Sequence, residues 1–296
     1  MRRMLFIYNP HAGKGRVKTR LADLQDAFAR AGWLIIAHPT QGPGDAAAAA
    51  AELGGSVDRV VCCGGDGTLH EVISGLMALK HRPEIGYIPA GTTNDFSRNL
   101  RLPRGMDARA ETAAAGCPRP VDVGRFNDQY FIYVAAFGAF TDVSYDTPQS
   151  FKNLFGHLAY VLEGAARLPN LHSYHLTVES DAGREEGDFI YGMVSNTVSV
   201  GGFQSRGHNV SLDDGLFEVV LIRFPQNPAQ FQSILTYLMQ GGTGDAGGMV
   251  TQLRTANLRV TSQAPLPWTL DGEYGGDPTD TRIQVVKQTV SIVYGK

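Results

Sequence analysis

Three short glycine-containing segments could bind phosphate, and the clearest of them is Gly64 to Thr68. It reads GGDGT and directly follows the apolar run from Arg59 to Cys63. Glycine lets the backbone approach a phosphate closely, and the N-terminus of a following helix attracts anions. Asp66 can hold a cation or polarise a hydroxyl. The segment predicts a nucleotide phosphate site, with a strand-to-helix turn capped by Asp66 as the alternative.

The other two segments follow apolar runs of their own. They are NPHAGKG from Asn9 to Gly15 and PAGTTNDF from Pro89 to Phe96. The first lacks the spacing of a P-loop and of a dinucleotide fingerprint, so neither of those folds is supported. The second offers hydroxyls, an amide and a carboxylate for nucleotide, metal or the transferred phosphate, with helix capping by Thr93 or Asn94 as the alternative. Such turns at the ends of successive parallel strands favour a ligand site.

Two acidic motifs lie in the later part of the chain. Asp213 to Leu216 is a tight turn leading into a strand, and its alternative is a solvated β-turn. Asp271-Gly272-Glu273 follows an apolar segment, and phosphoryl transfer to an alcohol needs a carboxylate that accepts the hydroxyl proton. If the strand persists, Asp271 and Glu273 lie on opposite faces and one of them faces a cleft. The motif could also be only a hairpin turn.

The elements that must position these motifs form two patterns. Before Pro118, apolar strand patterns alternate with helical ones, which indicates an α/β domain with a mainly parallel sheet. The strands predicted there are 4–8, 33–37, 59–63 and 85–89, and the helices are 14–31, 44–53, 68–79 and about 107–115.

After Pro118 strands dominate, which indicates a second, β-rich domain. The predicted strands are 121–125, 129–137, 174–179, 187–195, 216–223, 257–261, 267–271 and 282–286, and the helices lie near 153–168 and 228–240. We therefore predict a nucleotide-binding α/β domain over residues 1–124 and a β-rich domain over 125–296, with the return of the last strand to the first domain left open.

Composition narrows the function classes. The chain has 296 residues, 43% of them hydrophobic, and a net charge of −3. A chain with this charge lacks the basic excess typical of nucleic-acid binders, so no nucleic-acid partner is expected. Three cysteines offer neither a disulfide framework nor metal-ligand spacing, which predicts a reduced cytoplasmic protein. No apolar stretch reaches the length of a transmembrane span, so any membrane contact is predicted to be peripheral.

Taken together, NPHAGKG, GGDGT, PAGTTNDF, SLDDGLFEV and LDGE, in this order, resemble the catalytic domain of the bacterial diacylglycerol kinase family, whose members are soluble lipid kinases related to sphingosine and ceramide kinases. The resemblance covers nearly the whole chain. It implies a nucleotide-binding α/β domain like those of NAD kinase and phosphofructokinase, a β-rich, β-sandwich-like lipid-binding domain, and an active site in the cleft between them. The implied reaction uses ATP and Mg²⁺ to phosphorylate the hydroxyl of a membrane lipid, with diacylglycerol the first candidate.

The resemblance also implies roles for individual residues of the first domain. The nucleotide contacts that it implies are Asn9, Pro10, His11, Ala12, Gly13, Lys14, Thr40, Gly64, Gly65, Asp66, Gly67, Thr68, Leu69, His70 and Thr92. Asp66 would act in catalysis, facing the phosphates and their Mg²⁺. Glu71 would contact the nucleotide or the metal network. Asp95 and Asp122 resemble the carboxylates that link the nucleotide site to the second domain.

For the second domain, the resemblance implies a structural Mg²⁺ and a catalytic base. The Mg²⁺ is held by Asp214 and by main-chain oxygens of Ser211 and Leu216, a chemically sensible set for a hard cation. The base is Glu273, with Asp271 as the second candidate.

One departure from the family pattern concerns the acceptor pocket. Family members often carry an Asn-Gly pair after the strand that corresponds to 192–195, whereas this chain reads SNTV from Ser195 to Val198 and GGF from Gly201 to Phe203.

Two other functions are compatible with parts of the sequence. NAD kinase shares the GGDG-type turn, although the downstream acidic motifs favour a lipid kinase. A nonenzymatic lipid- or nucleotide-binding regulator is the other, against which the carboxylates Asp66, Asp214, Asp271 and Glu273 argue. The expected partner is a membrane lipid at the inner face of the membrane, with a homodimer left open.

Overall fold

The computed structural model describes residues 1–138, 172–197, 199–200, 203–204, 211–242 and 244–295. The helix predicted near 153–168 and the Gly201-Gly202 pair lie outside the described residues. The chain divides into two compact units. The first unit comprises Met1–Val121 with Gln288–Lys296, and the second comprises Asp122–Lys287. The boundary predicted between residues 124 and 125 lies close to this division, and the end of the last strand falls in the first unit.

The first unit contains a parallel sheet in the order β4-β3-β1-β2. Its strands are β1 (Arg2–Tyr8), β2 (Trp33–Pro39), β3 (Arg59–Gly64) and β4 (Glu84–Pro89). Every residue of β3 is buried, as expected for a central strand with helices on both faces. Tyr8 pairs with both Pro39 and Cys63, so the carboxyl ends of β1, β2 and β3 are level.

Five helices accompany this sheet. They are α1 (Arg16–Thr19), α2 (Leu21–Arg30), α3 (Asp45–Leu53), α4 (Asp66–Leu76) and α5 (Met106–Ala115), with 3₁₀ turns at Ala12–Gly15, Gly54–Ser56 and Phe96–Leu100. The single helix predicted over 14–31 was wrong. Gly13, Lys14 and Gly15 have φ of 61°, 59° and 80°, which excludes a helical start there. At Arg20 the backbone again leaves the helical region, and its guanidinium pairs with Asp107 of α5.

One hydrophobic cluster of the first unit packs α2 and α5 against the strands. Its aromatic centre is Phe6, whose ring stacks on Tyr8 and meets Phe28 edge-on, both at 5.1 Å between centroids. Trp33 donates from Nε1 to the carbonyl of Ala114 at 2.9 Å, which satisfies the buried indole N–H. The strands whose carboxyl ends carry the glycine turns are therefore packed against a buried aromatic cluster.

Antiparallel strands dominate the second unit. The strands are β5 (Pro118–Phe126), β6 (Gln129–Phe131), β7 (Val134–Gly138), β8 (Tyr174–Ser180), β9 (Gly183–Ser195), β10 (Ser199–Val200), β11 (Phe203–Gln204), β12 (Phe217–Arg223), β13 (Val250–Thr255), β14 (Asn257–Ser262), β15 (Trp268–Leu270), β16 (Glu273–Gly276) and β17 (Asp280–Val293). Strand β9 pairs with β7, β8 and β12, and β14 pairs with β8 and β17. Strands β5 and β17 each run across the division between the units.

The core of the second unit is built around Trp268. Its ring meets Phe126 and Phe137 edge-on at 5.1 and 4.8 Å. Helix α6 (Pro228–Met239) begins with proline in its first turn, after Asn227, whose side chain accepts the N–H of Gln230. Within the described residues, no helix has both the length and the apolar character needed to cross a bilayer.

Several strand predictions in this unit need correction, and the two-residue strands β10 and β11 were not predicted. The strand predicted over 129–137 is split into β6 and β7, because the chain between them bends around a buried carboxylate described below. Strand β13 was not predicted, since its sequence VTQLRT lacks a strong apolar face. Strand β16 was not predicted either, because two of its four residues are glycine.

Candidate active site

The three glycine turns of the first unit lie together at the carboxyl ends of β1, β3 and β4. A Cβ on Gly91 would stand 2.5 Å from the Cα of Gly65, and a Cβ on Gly13 would stand 2.9 Å from the carbonyl oxygen of Ala90. Only glycine allows backbones to approach this closely. The third turn therefore contacts both of the others, and the three form one surface.

Asp66 ties the second turn to the third. Its carboxylate accepts the N–H of Asp95 at 2.9 Å and that of Phe96 at 3.4 Å. These N–H groups open the 3₁₀ turn Phe96–Leu100, which has no other side-chain cap, so Asp66 acts as its cap. The predicted contact of Asp66 with phosphates and Mg²⁺ stays a prediction, and the described bonds hold the carboxylate in one place.

A second local bond shapes the third turn. Asn94 has φ of 53°, and its side-chain amide bonds both the N–H and the carbonyl of Gly91, at 2.8 and 2.7 Å. Thr92 lies between these two residues and is exposed. The predicted nucleotide contact at Thr92 is thus on a loop whose conformation the Asn94 side chain sets.

A cavity of about 340 Å³ lies beside the first turn. It is lined by Tyr8, Pro10, His11, Lys18, Leu21, Pro39, Thr40 and Gln41. The N–H of Thr40 donates to the carbonyl of Tyr8 at 2.9 Å, which joins the ends of the two strands that flank the cavity. Its volume falls in the range of small-molecule sites. Three of its lining residues, Pro10, His11 and Thr40, were predicted nucleotide contacts, whereas Lys18 and Gln41 were not among the predicted residues.

Two other residues of the first unit have different surroundings from those expected. Leu69 is fully buried in the core, so it presents no exposed surface for the predicted nucleotide contact. Glu71 accepts the N–H groups of Gly44 and Ala46 at 2.9 and 3.1 Å and so caps the N-terminus of α3. Sequence reasoning placed Glu71 in a nucleotide or metal network. One sign of this capping role is present in the sequence: Gly44, which precedes α3, has no side chain that could cap the helix.

In the second unit, Asp271 is a buried carboxylate that holds a hairpin. Asp271 and Gly272 have φ of 52° and 93° and form a two-residue turn between β15 and β16. The carboxylate accepts the N–H groups of Ile132, Tyr133 and Val134 at 2.7, 2.9 and 3.0 Å. These bonds occupy the bend between β6 and β7, which explains why the two strands are separate.

Glu273 has the opposite environment. It is the first residue of β16 and is exposed, as is the neighbouring Tyr274. The expectation that Asp271 and Glu273 lie on opposite faces of a continuous strand was wrong, because residues two positions apart in a strand share a face. The strand also does not continue through the motif. The hairpin leaves Glu273 as the accessible carboxylate of the pair.

Asp122 is fully buried in the second unit and organises the acidic turn Asp213 to Leu216. Its carboxylate accepts the N–H of Gly215 at 2.7 Å, and its own N–H donates to the carbonyl of Leu212 at 2.7 Å. Asn196 donates from its amide to the carbonyl of Asp122 at 2.8 Å. Asn196 therefore has a structural role in this chain.

Asp95, in the first unit, is also almost completely buried. One of its oxygens lies 3.6 Å from Nη2 of Arg98. The predicted role of Asp95 and Asp122 in linking the two domains stays a prediction.

Comparison with known proteins identifies the family of this chain. The family model described as the diacylglycerol kinase catalytic domain matches residues 3–126, and the model described as the YegS C-terminal NAD kinase beta sandwich-like domain matches residues 134–294. A diacylglycerol kinase of Bacillus subtilis (strain 168) is 38% identical over 279 residues, which cover 93% of this chain and 91% of that protein. The chain belongs to the diacylglycerol kinase family.

Other relatives agree with this assignment. A diacylglycerol kinase of Staphylococcus saprophyticus is 35% identical over 276 residues, covering 93% of this chain and 90% of that protein. A crystal structure of a candidate diacylglycerol kinase from Bacillus anthracis str. Sterne superposes with a TM-score of 0.82 at 26% identity, over 99% of this chain and 95% of that one. The predicted family, the α/β plus β-sandwich-like fold and the assignment as a kinase are confirmed.

The structural Mg²⁺ predicted for this diacylglycerol kinase family member was tested against the residues present. Asp214 Oδ1 accepts the N–H of Leu216 at 3.0 Å, and Oδ2 lies 2.5 Å from Nη2 of Arg254. With a guanidinium already against the carboxylate, Ser211, Asp214 and Leu216 do not fit a metal site in this arrangement.

Proposed function

We propose that this kinase transfers the γ-phosphate of ATP to the hydroxyl of diacylglycerol, giving phosphatidic acid. The observation that carries the proposal is the contact between the three glycine turns at one edge of the parallel sheet. Such an edge presents backbone N–H groups and a helix N-terminus to phosphates. The names of the curated relatives support diacylglycerol as the acceptor.

In the proposed complex, ATP lies along the first unit. The turn from Asn9 to Lys14 and the turn from Gly64 to His70 contact the phosphates, and Thr40 and Thr92 contact the nucleotide from either side. The cavity beside Tyr8 and Thr40 accommodates part of the nucleotide. Mg²⁺ that enters with ATP neutralises the phosphate charge.

Glu273 is proposed as the general base. Its exposed carboxylate accepts the proton of the lipid hydroxyl while that oxygen forms a bond to the γ-phosphorus, and the bond from phosphorus to the bridging oxygen of ADP breaks. Asp271 is proposed as a positioning residue that fixes the hairpin carrying Glu273. Its bonds to Ile132, Tyr133 and Val134 support that role.

The acceptor also determines where the enzyme works. Diacylglycerol resides in a bilayer, so we propose a cytoplasmic enzyme that binds the inner face of the membrane reversibly, through apolar contacts. The exposed side chain of Tyr274, next to Glu273, supports such a contact.

The experiment that tests the proposal presents purified protein with radiolabelled ATP and a panel of acceptors. Diacylglycerol, sphingosine and ceramide are offered separately in mixed micelles, and NAD in solution. Label in phosphatidic acid, and its loss in Glu273→Gln, is the expected result. Label in NADP would replace the proposal with NAD kinase, and label in no product would leave a nonenzymatic binder.

A further inference from the structure

The loop from Ser211 to Leu216 is closed by bonds to protein groups alone. Asp214 accepts the N–H of Leu216 at 3.0 Å, as in an Asx turn, and Asp213 accepts a bond from the Ser211 hydroxyl. Buried Asp122 anchors the loop from beneath through the N–H of Gly215. The backbone of the loop is therefore fixed by contacts within the second unit.

Arg254 supplies a positive charge to this loop. Its Nη2 lies 2.5 Å from Oδ2 of Asp214, and its Nε lies 3.1 Å from Oε1 of Glu218. Arg254 and Glu218 are direct partners in the antiparallel ladder of β13 and β12. Strand register therefore places the Arg254 side chain beside Glu218, and from there its guanidinium also reaches Asp214.

Glu218 favours a cation at this position. It is 8% exposed, and a buried carboxylate is strongly unfavourable unless it is paired. Arg254 is its ion-pair partner, and its second oxygen has no hydrogen-bond partner among the described residues. A cation that served Asp214 alone would leave Glu218 without charge compensation.

A second cation covers the other side of the loop. Gly215 has φ of 78°, and a Cβ on it would stand 2.6 Å from Nζ of Lys287. The Lys287 ammonium therefore lies directly against the turn. Two positive side chains border the place where the family resemblance puts Mg²⁺, and both repel a divalent cation.

We propose that Arg254 is the resident cation of this loop, and that the second unit is stable without a metal ion bound there. The guanidinium neutralises Asp214 and Glu218 together, whereas Mg²⁺ requires an octahedral set of oxygens that is free of competing donors. This charge balance does not depend on the nucleotide or on the acceptor lipid.

The first experiment measures thermal unfolding of the full wild-type chain without nucleotide, in excess EDTA and in millimolar MgCl₂. The expected melting temperature is the same in both. Electron paramagnetic resonance with MnCl₂ as the probe, also without nucleotide, is expected to show no stoichiometric bound ion that the Asp214→Asn variant loses.

The second experiment removes the guanidinium. Arg254→Gln is expected to lower the melting temperature in EDTA by roughly 4–8 °C, because two carboxylates lose their shared cation. Arg259→Gln is the matched control, since Arg259 also lies in a strand of this unit and pairs with one exposed carboxylate, Asp280. It is expected to change the melting temperature by roughly 2 °C or less.

Two results would overturn the proposal. One is a saturable rise in the wild-type melting temperature with MgCl₂, or a bound Mn²⁺, that disappears in Asp214→Asn. The other is an Arg254→Gln variant as stable in EDTA as Arg259→Gln. If Arg254→Gln does not fold, the wild-type measurements with MgCl₂ and MnCl₂ still decide the matter.

Discussion

Asp271 and Glu273 stand two positions apart, yet their surroundings are opposite. Asp271 is buried and accepts three backbone N–H groups, whereas Glu273 is exposed at the start of β16. Several such bonds hold a carboxylate in one orientation. A proton acceptor must instead be reachable by the substrate, and Glu273 is.

We expect the two carboxylates to separate when each is replaced by its amide. Glu273→Gln should keep the melting temperature and the affinity for ATP while kcat falls by roughly 10²–10⁴-fold, the range of general-base catalysis. Asp271→Asn should lower the free energy of unfolding by about 2–4 kcal/mol, because charge-assisted bonds to backbone N–H groups are lost.

Thermal melts and initial rates on both variants provide the test. A stable, inactive Asp271→Asn beside an active Glu273→Gln would make Asp271 the base. Full activity in both would reduce the motif to a turn.

At Asp66, the capping bonds and the proposed phosphate contact make different demands on the side chain. Asn keeps one oxygen that can accept the N–H of Asp95, so Asp66→Asn should remain folded. Loss of the charge should lower kcat on the order of 10³-fold. A folded variant with more than a tenth of the wild-type kcat would contradict the catalytic role.

At the scale of elements, β3 is buried along its whole length and carries two adjacent cysteines. Burial raises the pKa of the Cys63 thiol to about 12 and that of Cys62 well above its ordinary value. The thiolate is the reactive form, so a raised pKa lowers reactivity. Cys117, by contrast, is exposed.

We therefore expect one thiol of the native protein to react rapidly with a thiol reagent. Titration with Ellman's reagent near pH 8 should detect Cys117 alone, and guanidinium chloride should release the other two. The Cys117→Ser variant is the control and should show no fast phase. A fast phase that survives in it would mean that β3 opens readily.

Helix α3 depends on a cap from another helix. Glu71 of α4 binds the N–H groups of Gly44 and Ala46. Glu71→Ala should lower the free energy of unfolding by about 1 kcal/mol, the usual cost of a lost N-cap. Glu111→Ala, on the exposed face of α5, is the control.

The KM for ATP distinguishes the two roles considered for Glu71. A cap alone should leave the KM nearly unchanged. A large rise in the KM with no change in stability would instead support the nucleotide or metal contact inferred from the family.

At the scale of the whole molecule, the proposed substrate lies in a bilayer, and no helix among the described residues could span a membrane. Sedimentation with vesicles that contain diacylglycerol should show reversible partitioning, and Glu273→Gln should partition as the wild type does. Complete indifference to vesicles, together with activity only on a water-soluble acceptor, would refute membrane action.

The sequence by itself determined the family, the order of the α/β and β-rich halves and the three glycine turns. These features depend on residue types at short spacing, which local periodicity and motifs record. The split between β6 and β7 could not be predicted in the same way, because it depends on Asp271, which is more than a hundred positions away in the chain. The cap that Glu71 provides likewise joins two helices.

Only the tertiary structure decided which of two neighbouring carboxylates is buried and which cation stands beside Asp214. Arg254 lies opposite Glu218 because β12 and β13 pair in one particular register. A shift of one residue would turn the guanidinium to the other face of the sheet. Register and burial are set by packing across the whole unit, so residue type and spacing alone could not determine them.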